Sequence, residues 1–98
     1  MLFFTYILYS TSLNKYYIGS TEDLARRLDE HNRGKGNFTS KGTPWQLVYS
    51  EEYSSKANAF KRELAIKKRK SRIYIEALIA KGSGHPVLQT GGSLVRTQ

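Results

Sequence analysis

The start of the chain contains two β-forming runs, residues 3–10 and 15–20, and a four-residue segment of turn type separates them, which predicts a β-hairpin. A four-residue loop sets Leu8 opposite Tyr17, whereas a two-residue loop sets Tyr6 opposite Tyr17. In both registers Tyr6 and Tyr17 share one face, because alternate residues of a strand point the same way. A three-residue loop would separate them. Tyrosine is also simply a good strand former, so the pair alone does not define a site.

Capping residues and apolar spacing predict four elements after the hairpin. They are a helix from Thr21 to about Asn32, a strand over residues 45–53, a helix capped by Ser54 or Ser55, and a helix that Ser71 opens. Strict alternation in the strand places Trp45 and Tyr49 on one face. The order β-β-α-β-α-α predicts an α+β fold, a small three-stranded antiparallel sheet flanked by helices. We expect residues 1–81 to form one domain and residues 82–98, which lack periodicity, a flexible C-terminal tail.

Composition bounds the class of protein. The chain has 98 residues, enough for one compact domain, and no cysteine, which excludes disulfides, thiolate metal sites and thiol nucleophiles. The apolar first ten residues lack the basic segment and the small-residue cleavage site of a signal peptide. No run approaches the about 20 apolar residues of a membrane span. We therefore expect a monomeric, cytoplasmic protein without a membrane segment.

Positive charge is concentrated in one part of the chain. Sixteen lysine and arginine residues stand against eight acidic ones, a net charge of +8. The stretch 61–72 contains seven basic residues and a single acid, Glu63. Such a patch binds a polyanion by releasing counterions, without regard to sequence. Charge therefore favours nucleic acid as the partner, although a solvated helix face that serves solubility explains the same pattern.

The first predicted helix carries two polar residues on its apolar stripe. At about 100° per residue, Arg27 and His31 share a face with Leu24 and Leu28, which mark the buried side. An arginine at this boundary needs an anion, and we expect none from its helical neighbours on that face. The alternative is an arginine whose stem is buried while its head stays in water.

Glu63 lies on the flank of an apolar stripe formed by Phe60 and Leu64. One carboxylate can anchor a magnesium ion that keeps most of its waters and borrows phosphate oxygens. For that role we expect Glu63 to be at least partly exposed, in a concavity that Arg27 also lines. The alternative is an intrahelical ion pair with Lys67, four residues on, which contributes little to stability.

Several short motifs follow these elements: Tyr17-Ile18-Gly19 with Ser20-Thr21, Asp23-Leu24, residues 26–31, residues 59–64 and Lys67-Lys68. Together they resemble the GIY-YIG nuclease superfamily over about residues 3–80. In size and layout the chain is most similar to short stand-alone members related to the nuclease domain of the bacterial excision-repair incision subunit. The first motif is degenerate, since Phe4-Thr5-Tyr6 keeps only the tyrosine, and no asparagine follows Asn58.

The resemblance implies a set of catalytic residues for phosphodiester hydrolysis, which needs an activated water, a neutralised phosphate and a protonated leaving oxygen. It makes Tyr6 or Tyr17 the base or water-positioning group, and Arg27 the stabiliser of the pentavalent phosphate. It makes His31 a residue that orients a tyrosine or holds a phosphate, and Glu63 the ligand of a single Mg²⁺ or Mn²⁺. The expected contacts to backbone phosphates are Lys15, Lys35, Lys41, Lys67, Lys68, Arg69, Lys70 and Arg72.

The implied activity is that of a divalent-metal-dependent endonuclease with low intrinsic sequence specificity. DNA is the favoured substrate, DNA repair the favoured process, and a protein partner the expected source of specificity. One alternative is a catalytically silent nucleic-acid-binding module. The degenerate first motif supports it, and the presence of both Glu63 and Arg27 opposes it. Another is a basic ribosome-associated structural protein, which explains the charge but not the shared face of Arg27 and His31.

Overall fold

The computed structural model describes residues 1–34 and 39–82. It confirms the predicted order β-β-α-β-α-α and the α+β class. Lys35 and residues 83–98 of the predicted tail lie outside the described residues. The elements are β1 (Phe3–Ser10), β2 (Lys15–Thr21), α1 (Leu24–Asn32), a short 3₁₀ turn (Thr39–Lys41), β3 (Trp45–Tyr53), α2 (Lys56–Arg69) and α3 (Arg72–Lys81).

The three strands form one antiparallel sheet in the order β2-β1-β3, so β1 is central and β2 is an edge strand. Leu8 lies opposite Tyr17, as the four-residue loop requires, and Tyr6 lies opposite Gly19. Asn14 closes the loop with a φ of 53°, a left-handed conformation that asparagine tolerates better than most residues. We call the side of the sheet that carries Tyr6 the first face, and the opposite side the second face.

A bulge in β3 overturns one prediction. Ile7 of β1 pairs with Tyr49 and the next residue, Leu8, pairs with Leu47, so Val48 is an extra, unpaired residue in β3. Trp45 therefore packs on the first face with Tyr6, whereas Tyr49 packs on the second face with Ile7. The predicted alternation of Trp45 and Tyr49 on one side was wrong, because one extra residue reverses the facing of everything beyond it.

Helices cover both faces of the sheet. On the first face α1 contributes Leu24 and Leu28, and on the second face α2 and α3 contribute Ile66 and Ile75. Full burial of a large apolar side chain stabilises a fold by about 1.5–3 kcal/mol. These contacts therefore hold α1 and α2 on opposite sides of the same strands. The buried members from the strands are Tyr6, Leu8 and Trp45 on the first face and Ile7 and Tyr49 on the second.

The helices begin at side-chain caps. β2 extends through Thr21, so the N-cap of α1 is Asp23 and the predicted cap at Thr21 was wrong. The Asp23 carboxylate accepts a hydrogen bond of 3.0 Å from the backbone N–H of Arg26, and its charge suits the positive end of the helix. Ser55, one of the two predicted candidates, caps α2, and Ser71 caps α3 as predicted. None of the helices in the described part of the chain combines the length and the apolar character that a bilayer crossing requires.

A half-buried carboxylate joins β3 to α2. Glu51 accepts hydrogen bonds from Arg62 Nε at 2.9 Å and Nη2 at 3.2 Å, from the Tyr53 hydroxyl at 2.6 Å, and from the Tyr49 hydroxyl. Burial alone would raise the pKa of Glu51, but the hydrogen bonds from Arg62, Tyr49 and Tyr53 outweigh it and hold the pKa below its usual value. Glu51 therefore holds α2 on the second face through its ion pair with Arg62, and both of its carboxylate oxygens accept hydrogen bonds.

Candidate active site

Three aromatic side chains meet on the first face of the sheet. The rings of Tyr6 and Tyr17 lie with their centroids 6.4 Å apart, which confirms that the two tyrosines share a face. Tyr6 and His31 are each only 2% exposed, and the Tyr6 hydroxyl lies 3.2 Å from His31 Nε2. The Tyr17 ring meets the His31 ring edge-on at 4.8 Å. The hairpin and α1 thus build one cluster, as expected from the shared face of Arg27 and His31.

Burial sets the protonation of this cluster. It raises the pKa of Tyr6 to about 12, and the nearby Arg27 guanidinium offsets this only in part. Burial also lowers the pKa of His31, with the positive charge of Arg27 acting in the same direction and Glu30 against it. At neutral pH the phenol is therefore protonated and the imidazole neutral. Tyr6 can donate its proton to Nε2 in the matching tautomer, and so the pair is a fixed hydrogen-bonded unit rather than an ion pair.

Gly19 lets the Tyr6 hydroxyl approach the edge strand. A Cβ atom at position 19 would lie 2.5 Å from the Tyr6 hydroxyl oxygen and 2.7 Å from the ring carbon that bears it. Real Cβ atoms do not approach other atoms so closely, and only glycine leaves this space. Gly19 was predicted as part of a motif, but its role was not. A glycine inside a strand pattern was the available signal, since it often marks close packing by another group.

Arg27 sits at the rim of the cluster. Its Nη1 lies 3.0 Å from Oε1 of Glu30, and its side chain is partly exposed. The interaction with the Tyr6 hydroxyl raises the pKa of Arg27, and Glu30 adds to this effect. The expectation that no helical neighbour supplies an anion was wrong, because Glu30, three residues on, reaches back to the guanidinium. Arg27 remains charged and keeps part of its surface open to a ligand.

Glu63 lies on the second face and is more buried than expected. We predicted a partly exposed carboxylate in a concavity shared with Arg27, but Glu63 is 8% exposed. The Ser20 hydroxyl donates to its Oε1 at 2.8 Å, and Lys67 Nζ donates to its Oε2 at 2.6 Å. The alternative, an ion pair with Lys67, is therefore present in the structure. Burial results because α2 packs the side bearing Ala59, Glu63 and Ile66 on the sheet.

A cleft of about 340 Å³ opens at the end of β2. Arg27 and Ser20 both line it, so the cleft reaches the first-face cluster through Arg27 and the second-face carboxylate through Ser20. Lys56, at the start of α2, adds a positive charge that was not predicted from the sequence. The other lining residues are Phe3, Thr21, Glu22, Arg26, Glu30 and Ala59. The lining carries three cationic side chains, Arg26, Arg27 and Lys56, and two carboxylates, Glu22 and Glu30, so its net charge is positive.

The donors near Glu63 fit one kind of metal ion. Within residues 1–34 and 39–82, no group of three or more His, Cys, Asp or Glu side chains is placed to hold a metal. Glu63 and Ser20 offer oxygen atoms, the donors that Mg²⁺ prefers, and Mg²⁺ is often bound by one or two carboxylates together with waters and phosphate oxygens. Glu63 could hold such an ion if Lys67 released Oε2.

The predicted phosphate contacts do not all lie near the cleft. Lys67 is beside Glu63, and Lys56 extends the basic surface to the cleft. Arg72 lies at the other end of β2, where Nη1 and Nη2 bond to Asn14 at 2.8 and 2.7 Å. Arg69 stacks on the ring of Tyr74 at 4.2 Å. Lys15, Lys41, Lys68 and Lys70, which were also expected to contact phosphates, are exposed. Lys15 lies at the start of β2, whereas the cleft lies at the end of that strand. Lys68 and Lys70 lie at the C-terminal end of α2.

The chain belongs to the GIY-YIG catalytic domain family, whose model matches residues 2–75. It is 39% identical over 67 residues to the UPF0213 protein YazA of Bacillus subtilis, covering 64% of this chain and 68% of that protein. It is 45% identical over 64 residues to the UPF0213 protein VNG_2274C of Halobacterium salinarum, covering 64% and 82%. The predicted family resemblance is confirmed.

A solved structure supports the same assignment. The solution NMR structure of the UPF0213 protein BH0048 from Bacillus halodurans is similar to this chain with a TM-score of 0.54 at 33% sequence identity. The match covers 92% of this chain and 94% of that one. The GIY-YIG domain family typically contains nucleases, and the short UPF0213 relatives carry names that specify no activity.

Proposed function

We propose that this protein is a divalent-metal-dependent endonuclease that hydrolyses phosphodiester bonds in nucleic acid, with DNA as the favoured substrate and low intrinsic sequence specificity. The observation that carries the proposal is the cleft at the end of β2. There Arg27, from the tyrosine and histidine cluster, and Ser20, hydrogen-bonded to Glu63, line one cavity. A cleft of net positive lining, with a protonated tyrosine and a neutral histidine on one side and a carboxylate on the other, suits phosphate chemistry.

The first-face residues divide the work of binding and proton handling. Arg27 presents a partly exposed guanidinium that can bind two phosphate oxygens at once and stabilise the charge that develops on them. Tyr17 is less buried than Tyr6 and is better placed to orient the attacking water. Tyr6, protonated and hydrogen-bonded to His31, holds the imidazole in place beside the Tyr17 ring.

The second-face residues would hold the cation. Glu63 would hold Mg²⁺ or Mn²⁺, and the ion would supply a Lewis acid for the phosphate and the leaving oxygen. Ser20 keeps the carboxylate oriented, and Lys67 neutralises it. Because Lys67 is partly exposed, it could also contact a backbone phosphate.

The test is a cleavage assay on plasmid, branched DNA and RNA, with Mg²⁺, Mn²⁺ or a chelator. We expect cleavage with either metal and none with the chelator. Glu63→Gln keeps the shape of the side chain and should abolish cleavage while leaving affinity for nucleic acid intact or slightly raised. Asp29→Asn is the matched control, since it removes one negative charge at an exposed ion pair with Arg33 on α1 and should cleave normally.

One observation favours a second candidate, a catalytically silent nucleic-acid-binding module. Both carboxylate oxygens of Glu63 already have donors, Ser20 and Lys67, and the residue is buried. In a silent module the Ser20 contact would simply anchor α2 to β2, and Lys67 would neutralise the buried carboxylate within α2. Wild-type protein that binds DNA and RNA but cuts neither with Mg²⁺ nor with Mn²⁺ would establish this candidate and reject the endonuclease.

A further inference from the structure

The outer flank of α2 carries an exposed apolar pair beside the candidate site. Phe60 is 50% exposed and Leu64 is 48% exposed. They are one helical turn apart, so their side chains are neighbours. At about 100° per residue Phe60 lies only some 60° around the helix from Glu63, on the flank that also bears Lys56. An aromatic face is thus available to solvent next to the cleft.

Cations frame this pair. α2 contains six basic residues and one acid. Two of its cations are paired, Arg62 with Glu51 and Lys67 with Glu63, whereas Lys56, Lys61 and Lys68 form no ion pair within the described ranges. Lys56 lies one turn before Phe60 and also lines the cleft, while Lys68 lies one turn after Leu64. Lys56 and Lys68 therefore flank the apolar pair along α2, and neither forms an ion pair with an acidic residue of the described part of the chain.

We propose that Phe60 is a base-stacking site, whose ligand is a nucleobase of the strand whose phosphate occupies the cleft. This inference rests on the proposed function and deepens it. Lys56 and Phe60 are four residues apart, about 6 Å along the helix, so one nucleotide can place its phosphate at Lys56 and a base over Phe60. A base stacked on a side chain cannot remain stacked in a duplex. The bound strand is therefore unpaired at this nucleotide.

The charge around Phe60 favours nucleic acid over a protein surface. Protein interfaces are depleted of lysine around their apolar centres. Surfaces for single strands instead combine a positive groove, which follows the backbone, with aromatic rings on which bases of any identity stack. Leu64 extends the apolar platform, and Lys56 and Lys68 supply charge on both sides of it.

The test measures binding without cleavage. Fluorescence anisotropy in a chelator compares a labelled 15-nucleotide single strand with the same strand in a duplex. Removing one base-stacking ring commonly costs about 1–3 kcal/mol, so Phe60→Ala should weaken single-strand binding by about 5- to 150-fold and duplex binding by less than about twofold. Phe60→Trp should retain single-strand affinity. The control is Ile73→Ala, which truncates an 80% exposed side chain on α3 and should change neither.

Several outcomes would overturn the inference. Phe60→Ala could weaken both substrates equally or neither, or Phe60→Leu could bind the single strand as tightly as wild type, which would mean simple apolar contact. Sedimentation showing a wild-type dimer that Phe60→Ala dissociates would assign the flank to self-association. The proposed function is tested separately. If the wild type does not cleave nucleic acid, the proposed function is wrong but the binding result for Phe60→Ala still stands. If the wild type cleaves and Phe60→Ala binds the single strand normally, only the stacking site is rejected.

Discussion

Replacing Gly19 with alanine should damage the candidate site through a single methyl group. Gly19 is opposite Tyr6, and the new Cβ would lie 2.5 Å from the hydroxyl oxygen and 2.7 Å from the adjacent ring carbon. The Tyr6 ring is buried between the sheet and α1, so it has little room to move aside. Either the ring tilts away from His31 or β2 moves outward. Both responses break the geometry that brings Tyr6 to the edge of the sheet.

The size of the effect follows from packing. Inserting a methyl group into a filled core typically destabilises a protein by about 1–3 kcal/mol. For a domain of this length, each kcal/mol lowers Tm by about 4–8 °C. We therefore expect Gly19→Ala to lower Tm visibly in a thermal melt followed by circular dichroism. The cleavage assay should show a larger loss than stability explains when it is run well below the variant's Tm.

A second substitution isolates the cause. In Gly19→Ala/Tyr6→Phe the nearest atom is gone, but the ring carbon still lies 2.7 Å away, so rescue of stability should be partial. The single variant Tyr6→Phe reports what loss of the hydrogen bond to His31 costs on its own. If Gly19→Ala melts like the wild type and cleaves as fast, the close approach is not required, and Gly19 has no positioning role.

Four further outcomes follow from the same structure. Because the pKa of Glu51 is lowered in the folded state, its contribution to stability is present above the ordinary carboxyl pKa of about 4.3 and is lost as the pH falls through the folded value. In urea denaturation, the difference in free energy of unfolding between wild type and Glu51→Gln should therefore shrink in acid. A difference that stays constant with pH would contradict this. The pKa of His31 is also lowered, so its contribution to stability is present above about pH 6.5 and is lost as the pH falls through the folded value. His31→Gln should therefore weaken the dependence of the free energy of unfolding on pH in this range. An unchanged pH dependence would reject the assignment. Arg27→Ala should reduce cleavage on the order of 100- to 1000-fold, and a loss below tenfold would remove it from the reaction. Neutralising Lys68 and Lys70 should weaken binding to all sequences and reduce the salt slope by roughly 0.9 for each phosphate that the variant no longer neutralises, whereas a sequence-dependent loss would indicate recognition of bases instead.

Most of the fold could be predicted because its determinants are local. Turn residues and strand formers predicted the hairpin, and Ser55 and Ser71 marked the starts of two helices. The errors arose where pairing between strands decides the outcome. The bulge at Val48 depends on how β3 aligns with β1, which no short sequence window contains. The cap of α1 also depends on strand pairing. Because Thr21 belongs to β2, it cannot cap the helix, and Asp23 is the N-cap instead.

The candidate site was predictable where one element carries the pattern. Arg27 and His31 share a stripe of α1, and their inward placement followed from the leucines beside them. The surroundings of Glu63 were not predictable, because Ser20 comes from a strand 43 residues earlier in the chain. Likewise the approach of Tyr6 to Gly19 depends on the hairpin register. Contacts between residues distant in sequence bury the Glu63 carboxylate, and for this reason the expectation that it would be partly exposed was wrong.

The position of β2 explains how one small sheet can combine the two halves of the site. The aromatic cluster lies on the first face and Glu63 on the second, so a central strand between them would keep them apart. β2 is an edge strand, and at its end consecutive residues face opposite ways: Gly19 opens toward Tyr6 and Ser20 reaches Glu63. A phosphate at this edge can be approached from both faces at once, with Arg27 on one side.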